Sequence, residues 1–264
     1  MSTIVVETPR RKHRGRRALI AIIVVIVLLV VAFFTADYFA KQYATSYVQK
    51  QVATALGLSS TAPVDVSLGS GSILLQAAKG TIDNVAVDVN PLVIDGLPGS
   101  ATLTAHGVPL SSTVPVQQLQ INVTVPQTTI TQAIAKVPAL AQYKPKVTVS
   151  GKDVTVTGSV SIFGFAQRIG VTMVPKVNAG APSFAIQTAQ FGAATVSVAR
   201  LDRYIPGLSN LLRSGTSLCI ANVLPKSFVL TSISLQNQSV VSTFTGNGVE
   251  LNDATLTQRG TCAK

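Results

Sequence analysis

Few side chains in this 264-residue sequence could do covalent chemistry, and they do not converge. Beyond the basic N-terminus there is one histidine, His106, in Thr-Ala-His-Gly-Val beside a Pro-rich loop. A lone loop histidine reads as a surface group rather than a proton shuttle, because acid–base catalysis needs a partner that tunes and orients it. Asp83, Asp88 and Asp95 are the nearest approach to a metal-ligand set, but their spacing matches no calcium loop. The sequence has no G-x-S-x-G elbow, no H-E-x-x-H, no P-loop and no G-x-G-x-x-G ahead of a helix. Asn122-Val123-Thr124 and Asn237-Gln238-Ser239 fit the glycosylation pattern but fall in strand-like segments. No catalytic residue, metal or cofactor is expected, and no enzymatic activity.

The two cysteines, Cys219 and Cys262, lack a nearby histidine that would complete a zinc site. In an oxidising compartment they read as a disulfide, and closing so long a loop contributes about 3–4 kcal/mol in the chain-entropy model. Two buried free thiols are the alternative.

The rest of the chain hangs from residues 18–34, an apolar run without a charge, a polar group, Gly or Pro. Extended to residue 36, it is roughly 28 Å of helix, enough to cross a hydrocarbon core of about 30 Å. Soluble helices of this length keep a polar face, and this one has none. Arg10, Arg11, Lys12, Arg14, Arg16 and Arg17 precede it, opposed only by Glu7. Such a cluster against an apolar span reads as a topology signal and a site for anionic lipid, not as a nucleic-acid patch. The expected organisation is a cytoplasmic tail over 1–17, an anchor over 18–36 and an extracytoplasmic domain over 37–264. A cleaved signal peptide is the rival. Cuts after Ala36 or Ala40 would place Phe34 or Tyr38 at the −3 position, where small residues belong, so a retained anchor is expected.

Of the net charge of +11, the six basic residues and one acid before the anchor account for +5, and the rest of the chain (15 basic minus 9 acidic) carries +6. That modest excess fits an anionic bilayer surface and equally fits ordinary solubilising charge. Only 12% of residues are charged, while Ser, Thr, Asn and Gln abound on β-branched stretches, a pattern typical of exported β proteins. Residues 37–56 predict a helix, with stripes at Phe39, Tyr43, Tyr47 and at Ala44, Val48, Val52, Leu56, ended by Gly57. It reads either as a stalk continuing from the anchor or as the first helix of the domain, and the apolar stripe selects the second. From residue 59 the period falls to 2. Val85, Val87 and Val89 alternate with smaller and polar residues, and Leu119, Ile121, Val123 and Val125 alternate with Gln118, Gln120, Asn122 and Thr124. Residues 128–137 predict a short Thr-capped helix with Ile130, Ile134 and Val137 on one face, stopped by Pro138. A hairpin at 147–156 turns on Ser150-Gly151-Lys152-Asp153. Further strands are expected at 159–162, 171–174, 183–187 and 195–198. A second short helix at 206–213 carries Leu208, Leu211 and Leu212, with strands at 227–235 and 239–245 after it. Helices are few and strands come in runs, so the fold class is α+β with an antiparallel sheet.

The succession of basic tail, single anchor and amphipathic helix is followed by Val-Ala-Val-Asp-Val at 85–89 and Val-Pro-Leu-Ser at 108–111. Then come Leu-Gln-Ile-Asn-Val-Thr-Val-Pro at 119–126, the 147–156 hairpin and Leu-Pro-Lys-Ser-Phe-Val-Leu-Thr-Ser-Ile-Ser-Leu at 224–235. Over roughly 37–251 this resembles the LmeA-like phospholipid-binding family of actinobacterial envelope proteins. The resemblance implies an elongated, curved antiparallel sheet wrapped about one or more helices, as in tubular BPI-like proteins, with an apolar cavity for a phospholipid. It also implies a place in upkeep of lipoglycans and the cell envelope. No functional residue is carried over from the family. The lining candidates come from apolar periodicity alone: Ile130, Ile134, Val137 and Leu140, then Phe163 and Phe165, then Leu208, Leu211 and Leu212. The leading expectation is a membrane-anchored protein that holds or transfers phospholipid without covalent catalysis. The alternative is a tethered structural or adhesive β module that recruits another envelope protein; an envelope hydrolase using His106 comes last.

Overall fold

The computed structural model describes residues 14–55, 63–94, 96–162, 164–196, 225–246 and 248–260. Neither Gly nor Pro occurs from Arg16 to Leu56, and the helix α1, Arg14–Ala55, accordingly runs unbroken for 42 residues, about 63 Å. Its length and hydropathy satisfy those of a membrane span, as those of a signal sequence would. From Ile23 to Phe34 its large apolar side chains lie exposed. The one hydroxyl at the end of that stretch, Thr35 Oγ1, donates back to Val31 O and Ala32 O at 3.0 and 2.9 Å, so it adds no unmet polar group.

The 37–56 segment is thus both a continuation of the apolar run and the first packed helix of the domain. Ala40, Ala44, Val48 and Val52 press on a core of Val64, Val66, Ile73, Val87 and Val89. The small Ala40 and Ala44 let the helix sit close over the sheet. The neighbouring stripe is not used in that contact: Phe39, Tyr43 and Tyr47 all stand exposed.

The chain then lays down β1 (Val64–Ser67), α2 (Ile73–Lys79), β2 (Thr81–Ile94) and β3 (Leu97–Pro109). α2 is an element that the alternation after residue 59 does not predict. It starts on Ser72, whose Oγ accepts from Leu75 N, and stops at Gly80 in the left-handed region. β4 (Pro115–Val116) and β5 (Gln118–Pro126) follow, with α3 (Gln127–Ala135) and α4 (Pro138–Ala141) after them. The second half contains β6 (Lys146–Ser150), β7 (Asp153–Ile162), β8 (Phe165–Asn178), β9 (Ala181–Phe191) and β10 (Ala194–Val196). β11 (Val229–Gln236), β12 (Ser239–Gly246), β13 (Val249–Glu250) and α5 (Asp253–Thr257) complete the described elements.

All named pairings are antiparallel, as expected for α+β. Instead of one continuous sheet, the described strands form a six-stranded sheet, β1-β2-β3-β5-β12-β11, and a five-stranded one, β10-β9-β8-β7-β6, with a small β4–β13 ribbon. The division follows from the chain path. α3 and α4 turn it away after β5, and β6 to β10 then pair as successive hairpins. β12 later returns to β5, with Val240 opposite Val125 and Phe244 opposite Ile121.

α3 is the element between the two sheets. Its capping differs from expectation: it starts at Gln127 with Pro126 as N-cap and no side-chain cap. The threonine hydroxyls are committed elsewhere. Thr129 Oγ1 donates to Pro98 O of β3 at 2.6 Å, and Thr131 Oγ1 donates to Gln127 O and accepts from Val147 N of β6. Gln127 Oε1 accepts from Val149 N at 2.8 Å. Two amides of β6, an edge strand of the five-stranded sheet, are therefore satisfied by α3. Below these bonds Ile130 and Ile134 join Val147, Val149, Val154, Leu235 and Val240 in a core shared by both sheets.

Candidate functional site

The groups with chemical potential stay apart in the structure. His106 belongs to β3 rather than to a loop; it is exposed, with Nδ1 2.5 Å from Asn84 Oδ1 on the paired strand β2. Asp88 Oδ2 accepts from Thr102 Oγ1 at 2.8 Å across the same pair of strands. No group of three or more His, Cys, Asp or Glu able to hold a metal exists among the described residues. Of the Asp83, Asp88 and Asp95 set, Asp95 lies outside the described residues.

Apolar space is where the structure concentrates its capacity. A cleft of about 300 Å³, open on one side, lies where the far end of the β2–β3 hairpin meets β5 and α3. Leu92 and Leu97 form one wall, Val123 and Val125 the floor, and Ile130 and Ala133 the other wall. No titratable side chain lines it. The alternation of β5 explains the floor: Leu119, Ile121, Val123 and Val125 share one face. At one end of that face Leu119 is sealed against Ala105 and Val116; at the other, Val123 and Val125 are left for the cleft. α3 supplies the opposite wall at helical spacing, Ile130 and Ala133 being three residues apart. Thr129, buried beside them, fastens the start of α3 to β3 through Pro98 O.

Of the periodicity-based candidates, Ile130 lines this cleft. Ile134 packs one turn further along in the shared core. Val137 is 43% exposed, because Pro138 opens a new helical turn and leaves Val137 as its extended N-cap. Leu140 is half-buried and Phe165, at the start of β8, is 73% exposed. Phe163, Leu208, Leu211 and Leu212 lie outside the described residues, as do Cys219 and Cys262 with their expected bridge. Leu92, Leu97, Val123, Val125 and Ala133 are lining residues that the candidates omit. For Val123 and Val125 the signal was present in the β5 alternation. For Leu92 and Leu97 it is masked by Pro91, Gly96 and Pro98, residue types that ordinarily interrupt strands, although β2 and β3 run through Pro91 and Pro98. The ladder accommodates Pro91 by a register shift between Val89 and Leu92.

Fold and site together define an α+β protein with an N-terminal apolar helix, two antiparallel sheets and an apolar cleft at the helix between them. The sequence matches the family model described as LmeA-like phospholipid-binding over residues 35–245, most of the chain, and the protein belongs to that family. No curated protein and no solved structure matches it.

Proposed function

We propose that the protein is a membrane-anchored, extracytoplasmic phospholipid-binding protein that holds or transfers lipid in the cell envelope and performs no covalent chemistry. The observation that carries this reading is the cleft. It is apolar and uncharged, and it occurs in a chain that belongs to a phospholipid-binding family. A methylene takes roughly the 30 Å³ that a water occupies in the liquid, so about 300 Å³ accommodates on the order of ten methylenes. That is the outer part of one acyl chain. In this reading the remainder extends along α3 in the manner of the tubular BPI-like proteins, and the headgroup stays at the open side. The helix α1 is the anchor, with the basic residues 10–17 on the cytoplasmic side and the sheets outside, and lipoglycan upkeep is the process served.

The test is direct. The full chain, expressed in a cell with its own envelope and purified in a non-lipid detergent, is analysed by mass spectrometry for bound phospholipid. Near-stoichiometric diacyl lipid, reduced by Val125→Asp, is expected. Lipid-free protein that instead captures one envelope protein stoichiometrically would replace this reading with the tethered-module one.

A further inference from the structure

The domain is fixed to α1 at three points between Asp37 and Gln49. Asp37 Oδ1 accepts from Ser72 Oγ at 2.8 Å and Leu74 N at 3.0 Å. Lys41 Nζ donates to Gly69 O at 2.5 Å, and Gln49 Nε2 donates to Val64 O at 2.9 Å. Along α1 from Gln49 to Lys41, the facing chain runs from Val64 to Gly69, so strand and helix lie side by side. β2 is antiparallel to β1, with Val64 opposite Val89 and Ser67 opposite Ala86. Moving back along β2 from Val89 towards Thr81 therefore moves towards the apolar segment of α1.

Levels can be matched on that frame. Gly69, held by Lys41, lies against Asn84, whose Cβ would be 3.4 Å from a Cβ built on the glycine. Thr81 is three strand residues beyond Asn84, about 10 Å. Phe34 is seven helical residues beyond Lys41, also about 10 Å. Thr81 pairs with Pro109, and Leu110 N donates to Gly80 O at 3.0 Å. Leu110 thus reaches the level at which the uncharged apolar run of α1 ends.

The surface at that level is apolar. Leu75 on α2 is 56% exposed, Leu110 58%, Val114 49% and Leu251 40%. Leu251 is brought there by the β4–β13 ribbon, Glu250 opposite Pro115, and by Asn252 Nδ2 donating to Ser112 O. Residues 111–113 are Ser, Ser and Thr, without charge. Charged side chains described close to it include Asp37, which accepts from Leu74 N beside Leu75, and Glu250, which accepts from Asn252 Nδ2. Tyr38 and Phe39 on α1 are exposed at the same end, aromatics of the kind that settle at a membrane–water interface.

We propose that this end of the domain is a bilayer seat: Leu75, Leu110, Val114 and Leu251 rest in the interface of the same membrane that α1 crosses. The proposal rests on the reading of α1 as a membrane anchor. Its occupant is the phospholipid interface, because the patch reaches the level at which the anchor ends, Leu75 follows the Leu74 that Asp37 holds just past the anchor, and the patch cannot swing away while the three ties hold.

The chain contains no tryptophan, so single substitutions create unique fluorescent reporters. Leu110→Trp, Val114→Trp, Leu28→Trp and Val93→Trp are made in the full chain and reconstituted into phosphatidylcholine–phosphatidylglycerol vesicles containing lipids brominated at known acyl depths. Val93, exposed at the far end of β2, is twelve residues from Thr81, about 40 Å along the strand. The expected result is deep quenching at position 28, and shallow quenching with blue-shifted emission at 110 and 114, several-fold above that at 93. Quenching at 28 with positions 110 and 114 no different from 93 overturns the seat while leaving the anchor intact. An unquenched position 28 overturns both. Blue-shifted but unquenched emission at 110 and 114 assigns the patch to a protein contact and also overturns the seat.

Discussion

Filling the cleft from within should remove lipid without unfolding the protein. Ala133 lies on the α3 wall, half-buried, and Ala133→Phe adds a six-carbon ring to a space of about 300 Å³. If that space takes on the order of ten methylenes, at about 0.8 kcal/mol for each methylene buried, a filled cleft contributes at most about 8 kcal/mol. Because one side is open, roughly half is realised. A ring displacing about five of the ten then removes about 2–4 kcal/mol, and at 1.4 kcal/mol per decade that is a 30- to 1,000-fold loss of affinity. Val123→Phe blocks the same space from the sheet side and guards against a ring that swings outward from the helix. The assay is displacement of a fluorescently tailed phospholipid, with a thermal melt as the control for folding. Stability should hold or rise slightly, since an apolar void is being filled. Wild-type lipid affinity in both variants, with unchanged melts, would refute the assignment of the acyl chain to this cleft.

Three further perturbations have expected outcomes. Thr131→Val removes the acceptor of Val147 N and should lower stability in urea by about 1–3 kcal/mol, the cost of an orphaned amide; a neutral result would mean that water replaces the hydroxyl. Gly158→Ala places a Cβ 2.9 Å from Tyr143 O, where Ser159 N already donates at 2.8 Å. It should cost about 1–3 kcal/mol by overpacking, read as a lower melting temperature. The Leu74 amide and then the Ser72 hydroxyl hold the Asp37 carboxyl below its ordinary value. A depressed folded value means that the tie is intact above the usual carboxylate range and weakens as pH falls through the folded value, on the acid side of that range. Protection of the Leu74 amide against hydrogen exchange should fall there in the wild type but not in Asp37→Asn; equal pH profiles would discount the carboxylate.

How much of this was legible in the residues depended on whether the signal was local. The hairpin at 147–156 was readable because period-2 valines flank a turn whose Gly151 adopts φ +59°. β5 was readable for the same reason. The division into two sheets was not, since it depends on β5 pairing with β12 from the far end of the chain, and no short window contains that information. The α3 cap was misread because its threonines bond to Pro98 and Val147, partners that only the folded chain brings near. The sequence puts Val137 third in an apolar stripe after Ile130 and Ile134, but Pro138 restarts the backbone and turns that side chain outward. Half of the α1 stripes were used and half were not, because the contact is narrow where Ala40 and Ala44 allow close approach.

The plugging of β6 by Thr131 and Gln127 has a bearing on more than cohesion. A sheet border whose amides are already engaged is a poor template for a stranger's strand, so the molecule's resistance to clumping is lodged in the same short helix that walls the cleft. If the cleft takes an acyl chain as proposed, contact with Ile130 and Ala133 bears on that latch, and slower amide exchange at Val147 and Val149 in the lipid-bound protein would register it.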